Sequence, residues 1–174
     1  MTYSKSKTLK LDYFGYTKAF FNLMKPRVMS LVIFTCAVGL LIAPSKVNFL
    51  DATLSLFAVA LGSGAAGALN MWYESDLDSI MTRTCLRPIP SGKLTRNQAL
   101  GFGISSSIIS VIALYVFSNL VAAITLVITI LFYVFIYTIW LKRKTPQNIV
   151  IGGAAGALPP VIGWAIATNG ITLE

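Results

Sequence analysis

The sequence predicts an all-α, polytopic membrane protein with about five transmembrane helices. Of its 174 residues, 56 % are hydrophobic and 11 % are charged, whereas about 25 % of the residues in soluble domains are charged. The mean hydropathy is +0.75, and the apolar residues occur in long blocks without the alternation that is typical of half-buried strands. The composition therefore excludes a soluble or disordered protein and indicates that lipid is the surrounding medium.

The composition also excludes several kinds of catalytic site. The chain contains no histidine, so by itself it cannot form a histidine zinc site, a Ser-His-Asp triad or a histidine-ligated haem. Its two cysteines, Cys36 and Cys85, are too few for a disulfide framework, and we expect both to be free thiols.

Five apolar blocks are long enough to cross a bilayer core of about 30 Å, which requires roughly 20 helical residues. They comprise residues 28–43, 49–69, 100–117, 120–140 and 149–168. The first block is short and ends at Pro44, although the stems of Lys25 and Arg27 extend it by snorkelling. Pro159 and Pro160 lie inside the fifth block and predict a break in that helix, either lining a substrate chamber or forming a packing kink.

The basic residues predict how the chain is oriented in the membrane. Six of the 14 lysines and arginines precede the first span, four lie between the second and third spans, and three lie between the fourth and fifth. Only Lys46 falls on the opposite side, so the positive-inside rule places the amino terminus in the cytoplasm. We therefore expect a basic cytoplasmic amino-terminal segment (residues 1–27) and a transmembrane domain (28–174) with an inner loop at residues 70–97.

The inner loop carries the residues with the clearest chemical pattern. Asn70, Glu74 and Asp78 are four residues apart, so a helix that continues from the second span presents them on one face, whereas Asp76 points elsewhere. Two carboxylates and an amide oxygen on successive turns are hard ligands that suit Mg²⁺ and leave positions open for phosphate oxygens. The spacing therefore predicts a metal ion that bridges to a substrate.

Two arginines downstream complete this pattern. Arg83 and Arg87 are also four residues apart, and a guanidinium group binds phosphate oxygens in pairs, so the loop predicts a Mg²⁺–diphosphate site. The competing interpretation is a solvated loop whose basic residues only fix the orientation. The spacing Gly62-x-Gly64-x-x-Gly67 matches a dinucleotide fingerprint, but it lies inside a span with no strand before it, so we interpret it as helix packing.

At these residues the sequence resembles a known family, the intramembrane UbiA-type prenyltransferases. The segment NMWYESDLD (residues 70–78) resembles the first acid-rich motif of that family, and RTCLRPIPSG (83–92) resembles the stretch that follows it. The branch that modifies haem is favoured by KPR at residues 25–27 and by NIVIGGAAGALPPVIGW at residues 148–164. The resemblance extends over residues 25–164.

The resemblance implies a multi-pass enzyme of a bacterial or mitochondrial inner membrane. Such an enzyme transfers a farnesyl group from farnesyl diphosphate to the vinyl group of protohaem IX and releases diphosphate. By the same resemblance Asn70, Glu74 and Asp78 form the catalytic centre and bind Mg²⁺. The residues implied to hold the diphosphate are Arg83, Arg87, Lys142 and Arg143. Asp76 and Tyr137 are secondary candidates, and Tyr137 is equally well explained as an aromatic residue at the membrane interface.

The chain departs from the family pattern in its number of spans. Members normally have about nine spans and a second acid-rich segment, whereas this sequence predicts five spans and has only Glu174 as an acid beyond the last one. We therefore expect an incomplete bundle that resembles the first half of the family fold and is inactive alone. It would be a fragment, a truncated product, or one part of a split enzyme completed by a second chain.

Two other functions remain as alternatives. A quinone-type aromatic prenyltransferase would use similar chemistry, but the residues after Asn70 and the KPR segment favour the haem branch. A non-catalytic transporter or assembly subunit would carry ionisable residues in the middle of its spans, and the five predicted spans contain none there.

Overall fold

The computed structural model describes residues 12–142, 144 and 148–170, and all the regular structure in this part of the chain is helical. The helices are α1 (Tyr13–Leu23), α2 (Pro26–Ile42), α3 (Phe49–Asp78), α4 (Arg96–Phe117), α5 (Leu120–Leu131), a π-helical segment (Phe132–Leu141) that continues α5, and α6 (Asn148–Thr168). Four helices are long and apolar enough to cross a membrane, and α1 with α2, bent by 52°, makes a fifth. The predicted fold class is confirmed.

Helix α1 was not expected in the basic amino-terminal segment. The Asp12 side chain starts the helix by accepting a hydrogen bond from the backbone N–H of Gly15 (2.9 Å), as is typical of an N-cap. Ala19 and Leu23 are buried and belong to the same core cluster as Ile89 and Leu94 from the connection between α3 and α4. This tertiary packing, which no local pattern encodes, accounts for the extra helix.

Helix α3 is the centre of the bundle, and it continues past the predicted end of the second span at residue 69. Its 30 residues end at Asp78, so the acid-rich part of the expected inner loop is helical. The small residues support the packing interpretation: a Cβ added at Gly64 would lie 2.5 Å from Met24 Cε, and one at Gly67 would lie 3.3 Å from the Met24 carbonyl oxygen. The glycines therefore let the connection between α1 and α2 lie directly on α3.

Helix α6 contains Pro159 and Pro160 without a break, so the predicted interruption is wrong. A close crossing with α2 accompanies the two prolines. A Cβ added at Gly163 would lie 2.0 Å from the Cys36 carbonyl oxygen, and one at Gly39 would lie 2.1 Å from the Pro160 carbonyl oxygen. Such close packing between helices compensates for the two amide hydrogen bonds that the prolines cannot make.

The helix that follows α5 has a wider, π-helical backbone over ten residues. The Lys142 N–H donates to the carbonyl oxygen of Tyr137, five residues earlier, at 3.1 Å. Segments of this type are rare and often occur at functional sites because the wider turn changes which side chains face a neighbour. Here the segment directs Thr138 and Lys142 towards α3.

Candidate active site

Three oxygen-donor side chains form a buried row at the end of α3. Asn70, Glu74 and Asp78 are 0 %, 5 % and 3 % exposed, and their four-residue spacing places them on one face of a continuous helix. The helical arrangement expected from the sequence is confirmed. Asp76 is half-buried and lies off this row.

Each member of the row contacts a basic side chain from a different part of the chain. Lys142 Nζ lies 2.7 Å from Glu74 Oε2, and Arg87 Nη1 lies 2.7 Å from Asp78 Oδ2 and 2.9 Å from Asp78 Oδ1. Lys25 Nζ donates a hydrogen bond to Asn70 Oδ1. A buried carboxylate requires a compensating charge, and these contacts place a cation against each of the two acids.

Lys25 is a site residue that the sequence analysis did not assign. It occupies the bend between α1 and α2 with a left-handed backbone (φ 54°), and its side chain stem packs beside Gly67. From the sequence, KPR at residues 25–27 indicates snorkelling side chains at the start of the first span and contributes to the family resemblance, but it does not indicate a site residue. The sequence feature that could have pointed to Lys25 is its position at the start of the first span, directly before the proline that begins α2.

Thr138 is a second residue that sequence reasoning missed. Its side chain is fully buried, accepts a hydrogen bond from Asn70 Nδ2 (3.1 Å) and donates one to the Tyr133 carbonyl oxygen (2.8 Å). The Asn70 amide is thereby held with its oxygen towards Lys25. Tyr137 lies beside this network, with Lys142 Nζ 5.6 Å from the centre of its ring, at a distance where a cation–π interaction is favourable.

The connection between α3 and α4 positions Arg87. The Thr84 hydroxyl donates to the Asp78 carbonyl oxygen (3.1 Å), and the Arg87 carbonyl oxygen accepts from the Ser91 N–H (3.0 Å). Gly92 has φ 73°, a conformation that glycine adopts without strain, and it reverses the chain before α4. The turns therefore hold the guanidinium group against Asp78.

One expected diphosphate ligand, Arg83, lies away from this cluster, and another falls outside the described residues. The Arg83 side chain is exposed. It makes no hydrogen bond or ion pair with any residue in the described part of the chain. Arg143 lies outside the described residues. Arg87 and Lys142 are therefore the two predicted basic residues that the described contacts place at the acids.

An apolar cavity of about 240 Å³ leads away from the cluster between α2, α3, α5 and α6. On α3 its lining residues are Val59, Gly62, Ser63, Ala66 and Gly67, whose spacing of three and four residues forms one helix face. The same face continues into Asn70, Glu74 and Asp78. Lys25 and Tyr133 also line the cavity. Since Lys25 donates a hydrogen bond to Asn70 Oδ1, the cavity reaches the polar cluster at Lys25.

The donor set fits a metal ion that is shared with a substrate. Among the described residues no group of three acidic or cysteine side chains is placed to hold a metal ion alone. Two carboxylates and an amide oxygen are nevertheless the ligands that Mg²⁺ prefers, with its remaining positions filled by water and phosphate oxygens. The three basic side chains that contact these oxygens are then available to bind a negatively charged head group.

A buried row of oxygen donors with matching cations, next to an apolar cavity between membrane helices, is the arrangement expected of an intramembrane site for an amphiphile with an anionic head. The comparisons with known proteins agree with this class. Residues 32–174 match the UbiA prenyltransferase family. The protein belongs to the UbiA prenyltransferase family, as the motifs at residues 70–92 indicated.

Several curated relatives are similar to most of this chain. A protoheme IX farnesyltransferase of Pelagibacter ubique is 69 % identical over 165 residues, which cover 95 % of this chain and 54 % of the relative. One from Mesorhizobium japonicum is 57 % identical over 155 residues (89 % and 49 %), and one from Ehrlichia ruminantium is 51 % identical over 170 residues (98 % and 58 %). The chain therefore spans about half the length of the curated relatives it matches.

A solved structure from work on the digeranylgeranylglyceryl phosphate synthase in membranes has the same fold. It matches with a TM-score of 0.78 at 23 % identity, over 88 % of this chain and 54 % of that one. The helical arrangement described above is therefore the arrangement of a known membrane fold.

Substituting the two arginines tests which of them binds diphosphate. Arg87→Lys is expected to weaken the binding of inorganic diphosphate to the purified chain by about tenfold, because an ammonium group cannot form paired bonds with phosphate oxygens. The matched control Arg83→Lys is expected to leave the affinity unchanged, since Arg83 is exposed away from the cluster. Calorimetric titration with Mg²⁺ present measures both. Equal affinity of the Arg87 variant and the parent would remove Arg87 from the site.

Proposed function

We propose that this chain forms the donor-binding part of a protohaem IX farnesyltransferase. The enzyme would transfer the farnesyl group of farnesyl diphosphate to a vinyl group of protohaem IX to make haem O, and would release diphosphate. The observation that carries the proposal is the single face of α3, on which an apolar cavity lining passes directly into Asn70, Glu74 and Asp78. A prenyl diphosphate has the same division between an apolar chain and a polar head.

The basic side chains hold the head group in this proposal. Lys25, Arg87 and Lys142 come from three separate parts of the chain and all contact the α3 row. When diphosphate enters, they bond its oxygens and neutralise the charge that grows on the leaving group. Mg²⁺, bound by Asn70, Glu74 and Asp78 together with the diphosphate, would supply further charge stabilisation as a Lewis acid.

The cavity has its own part in the proposed reaction. The bond between C1 of the farnesyl chain and the diphosphate oxygen breaks with both electrons leaving on oxygen, which produces an allylic cation. The apolar lining keeps water from that cation, and the π electrons of the haem vinyl group then form the new carbon–carbon bond. This leaves the positive charge on the other vinyl carbon, to which a water oxygen then bonds. The water gives up a proton to the departed diphosphate, which completes the hydroxyl-bearing side chain of haem O. No histidine base is required for this step, which agrees with a sequence that has none.

The choice of acceptor rests on the relatives. The curated relatives at 51–69 % identity are named protoheme IX farnesyltransferases, which supports haem over a quinone-type acceptor and an enzyme over a transporter. In those relatives the remaining length belongs to the same polypeptide, so the second chain considered from the sequence has no support. The activity of the whole protein is therefore proposed for the polypeptide that contains the complete bundle.

We also propose an orientation for the domain in the membrane. The row on α3 and its three basic partners lie at the end of the bundle that the charge distribution assigns to the cytoplasm. Residues 12–23 of the amino-terminal segment pack at this same end, against the connection between α3 and α4. Farnesyl diphosphate would accordingly enter with its head group at the cytoplasmic surface.

A chimera tests the proposed reaction independently of the chain's length. The matching part of the Pelagibacter ubique relative is replaced by this chain, to which it is 69 % identical, and the chimera is expressed in membranes that lack haem O synthase. Mass spectrometry of the extracted haems is expected to detect haem O. A chimera that accumulates in the membrane but yields only unmodified haem, beside an active parent, would contradict the haem assignment. A prenylated quinone in its place would favour the quinone-type alternative.

A further inference from the structure

We propose that three side chains, Val59, Leu126 and Ile162, form a floor in the apolar cavity that limits the donor chain to about 15 carbons. The inference rests on the proposed function, because it concerns the chain of the prenyl diphosphate donor. The three residues come from α3, α5 and α6, and all of them line the cavity. Among the lining residues of their helices, each lies farthest along the chain from the polar cluster.

The depth of the cavity matches one prenyl length. Val59 and Asn70 are eleven residues apart on α3, which corresponds to about 16 Å along the helix axis. An extended farnesyl chain measures about 14 Å and a geranylgeranyl chain about 19 Å, at roughly 1.25 Å per bond along the chain. A 15-carbon chain therefore fits within this depth, whereas a 20-carbon chain exceeds it by about 3 Å.

The floor is continuous with a packed core. Val59, Leu126 and Ile162 are 1 %, 2 % and 1 % exposed and belong to one buried cluster with Ala122 and Ala165. Beyond the floor, Asn119 Nδ2 donates a hydrogen bond to the Ala165 carbonyl oxygen (2.7 Å), which joins the outer ends of α5 and α6. The cavity is therefore closed in the direction in which an extended chain points.

The experiment uses one variant that makes the cavity deeper and one that makes it shallower. Affinities of geranyl, farnesyl and geranylgeranyl thiodiphosphates, which resist hydrolysis, are measured with Mg²⁺ on the chain in lipid nanodiscs. The parent is expected to bind the farnesyl compound at least about tenfold more tightly than either of the others. Ile162→Ala, which removes part of the floor, is expected to move the preference to geranylgeranyl. Val59→Phe, which raises the floor, is expected to move it to geranyl.

A matched control distinguishes an effect of cavity depth on the chain-length preference from an effect of core stability. Leu114→Ala removes a fully buried side chain of the same core cluster that does not line the cavity, and it is expected to leave the farnesyl preference unchanged. Equal affinities for the three chain lengths in the parent and both floor variants would overturn the inference, since the tail would then leave sideways into lipid. The proposed function would survive that result. Failure of the parent to bind any of the three diphosphates would overturn both.

Discussion

Asp78→Asn is expected to reduce the Mg²⁺-dependent binding of farnesyl thiodiphosphate by about 100-fold while the protein still inserts into the membrane. The Asp78 carboxylate is nearly fully buried, and both of its oxygens contact Arg87. The substitution removes a negatively charged metal ligand and leaves the Arg87 guanidinium group without its carboxylate partner. Titration of the purified variant in nanodiscs measures the loss, and Glu74→Gln is expected to behave in the same way.

The control for this prediction is another acid of the same helix. Asp51 lies in the first turn of α3, at the end opposite the cluster, so Asp51→Asn is expected to keep the affinity of the parent. If the Asp78 and Glu74 variants both bound the donor analogue as tightly as the parent, the metal and diphosphate assignment would be wrong.

Gly163→Ala is expected to separate α2 from α6 and to prevent the chain from folding stably in the membrane. The added Cβ would lie 2.0 Å from the Cys36 carbonyl oxygen and 2.7 Å from the Leu40 nitrogen. Both neighbours are backbone atoms, which cannot move aside as a flexible side chain can. Overpacking of a core costs about 1–3 kcal/mol when side chains can adjust, and a backbone overlap places the expected loss at or above that range.

A second glycine of α6 provides the comparison. A Cβ added at Gly153 meets no atom within 4 Å, so Gly153→Ala is expected to leave stability unchanged or to raise it slightly, because alanine favours helix more than glycine does. The fraction of folded protein that remains after heating in mild detergent measures both variants. Equal thermal resistance of the Gly163 variant and the parent would mean that α2 and α6 do not cross this closely.

The part of the site that could be predicted from the sequence is the part that local spacing determines. Asn70, Glu74 and Asp78 are in register because helical periodicity fixes the positions of residues four apart. The positions of the five spans followed from the length of the apolar blocks, although α3 continues beyond the second block to Asp78. The lipid environment allows few alternatives to a helix in an apolar block of that size.

The remaining features depend on contacts between distant residues. Lys25 and Thr138 contact Asn70 from positions 45 and 68 residues away in the chain, and no local pattern encodes such pairs. Arg83 and Arg87 are the same residue type four positions apart, yet of these two described arginines it is Arg87 that contacts Asp78. The π-helical segment has no sequence signal of its own, and it is this wider backbone that brings Thr138 and Lys142 to α3.

The helix α6 illustrates how packing overrides a local rule. Two adjacent prolines inside an apolar block predict a break, but α6 continues through both of them. Gly39 and Gly163 allow α2 to lie directly against this part of α6. The sequence contains the two glycines, but it does not indicate which helix they pack against.

The central claim is that one face of α3 holds both the head and the chain of a prenyl diphosphate. Photolabelling tests it most directly, with a farnesyl diphosphate analogue that carries a diazirine on its first isoprene unit and the chain reconstituted in nanodiscs. Mass spectrometry is expected to find the label at residues 62–70 of α3 or on Met24 and Lys25, and excess farnesyl diphosphate is expected to prevent it. Labelling confined to lipid-facing side chains such as Phe57 and Ile108, and unaffected by competitor, would contradict the claim.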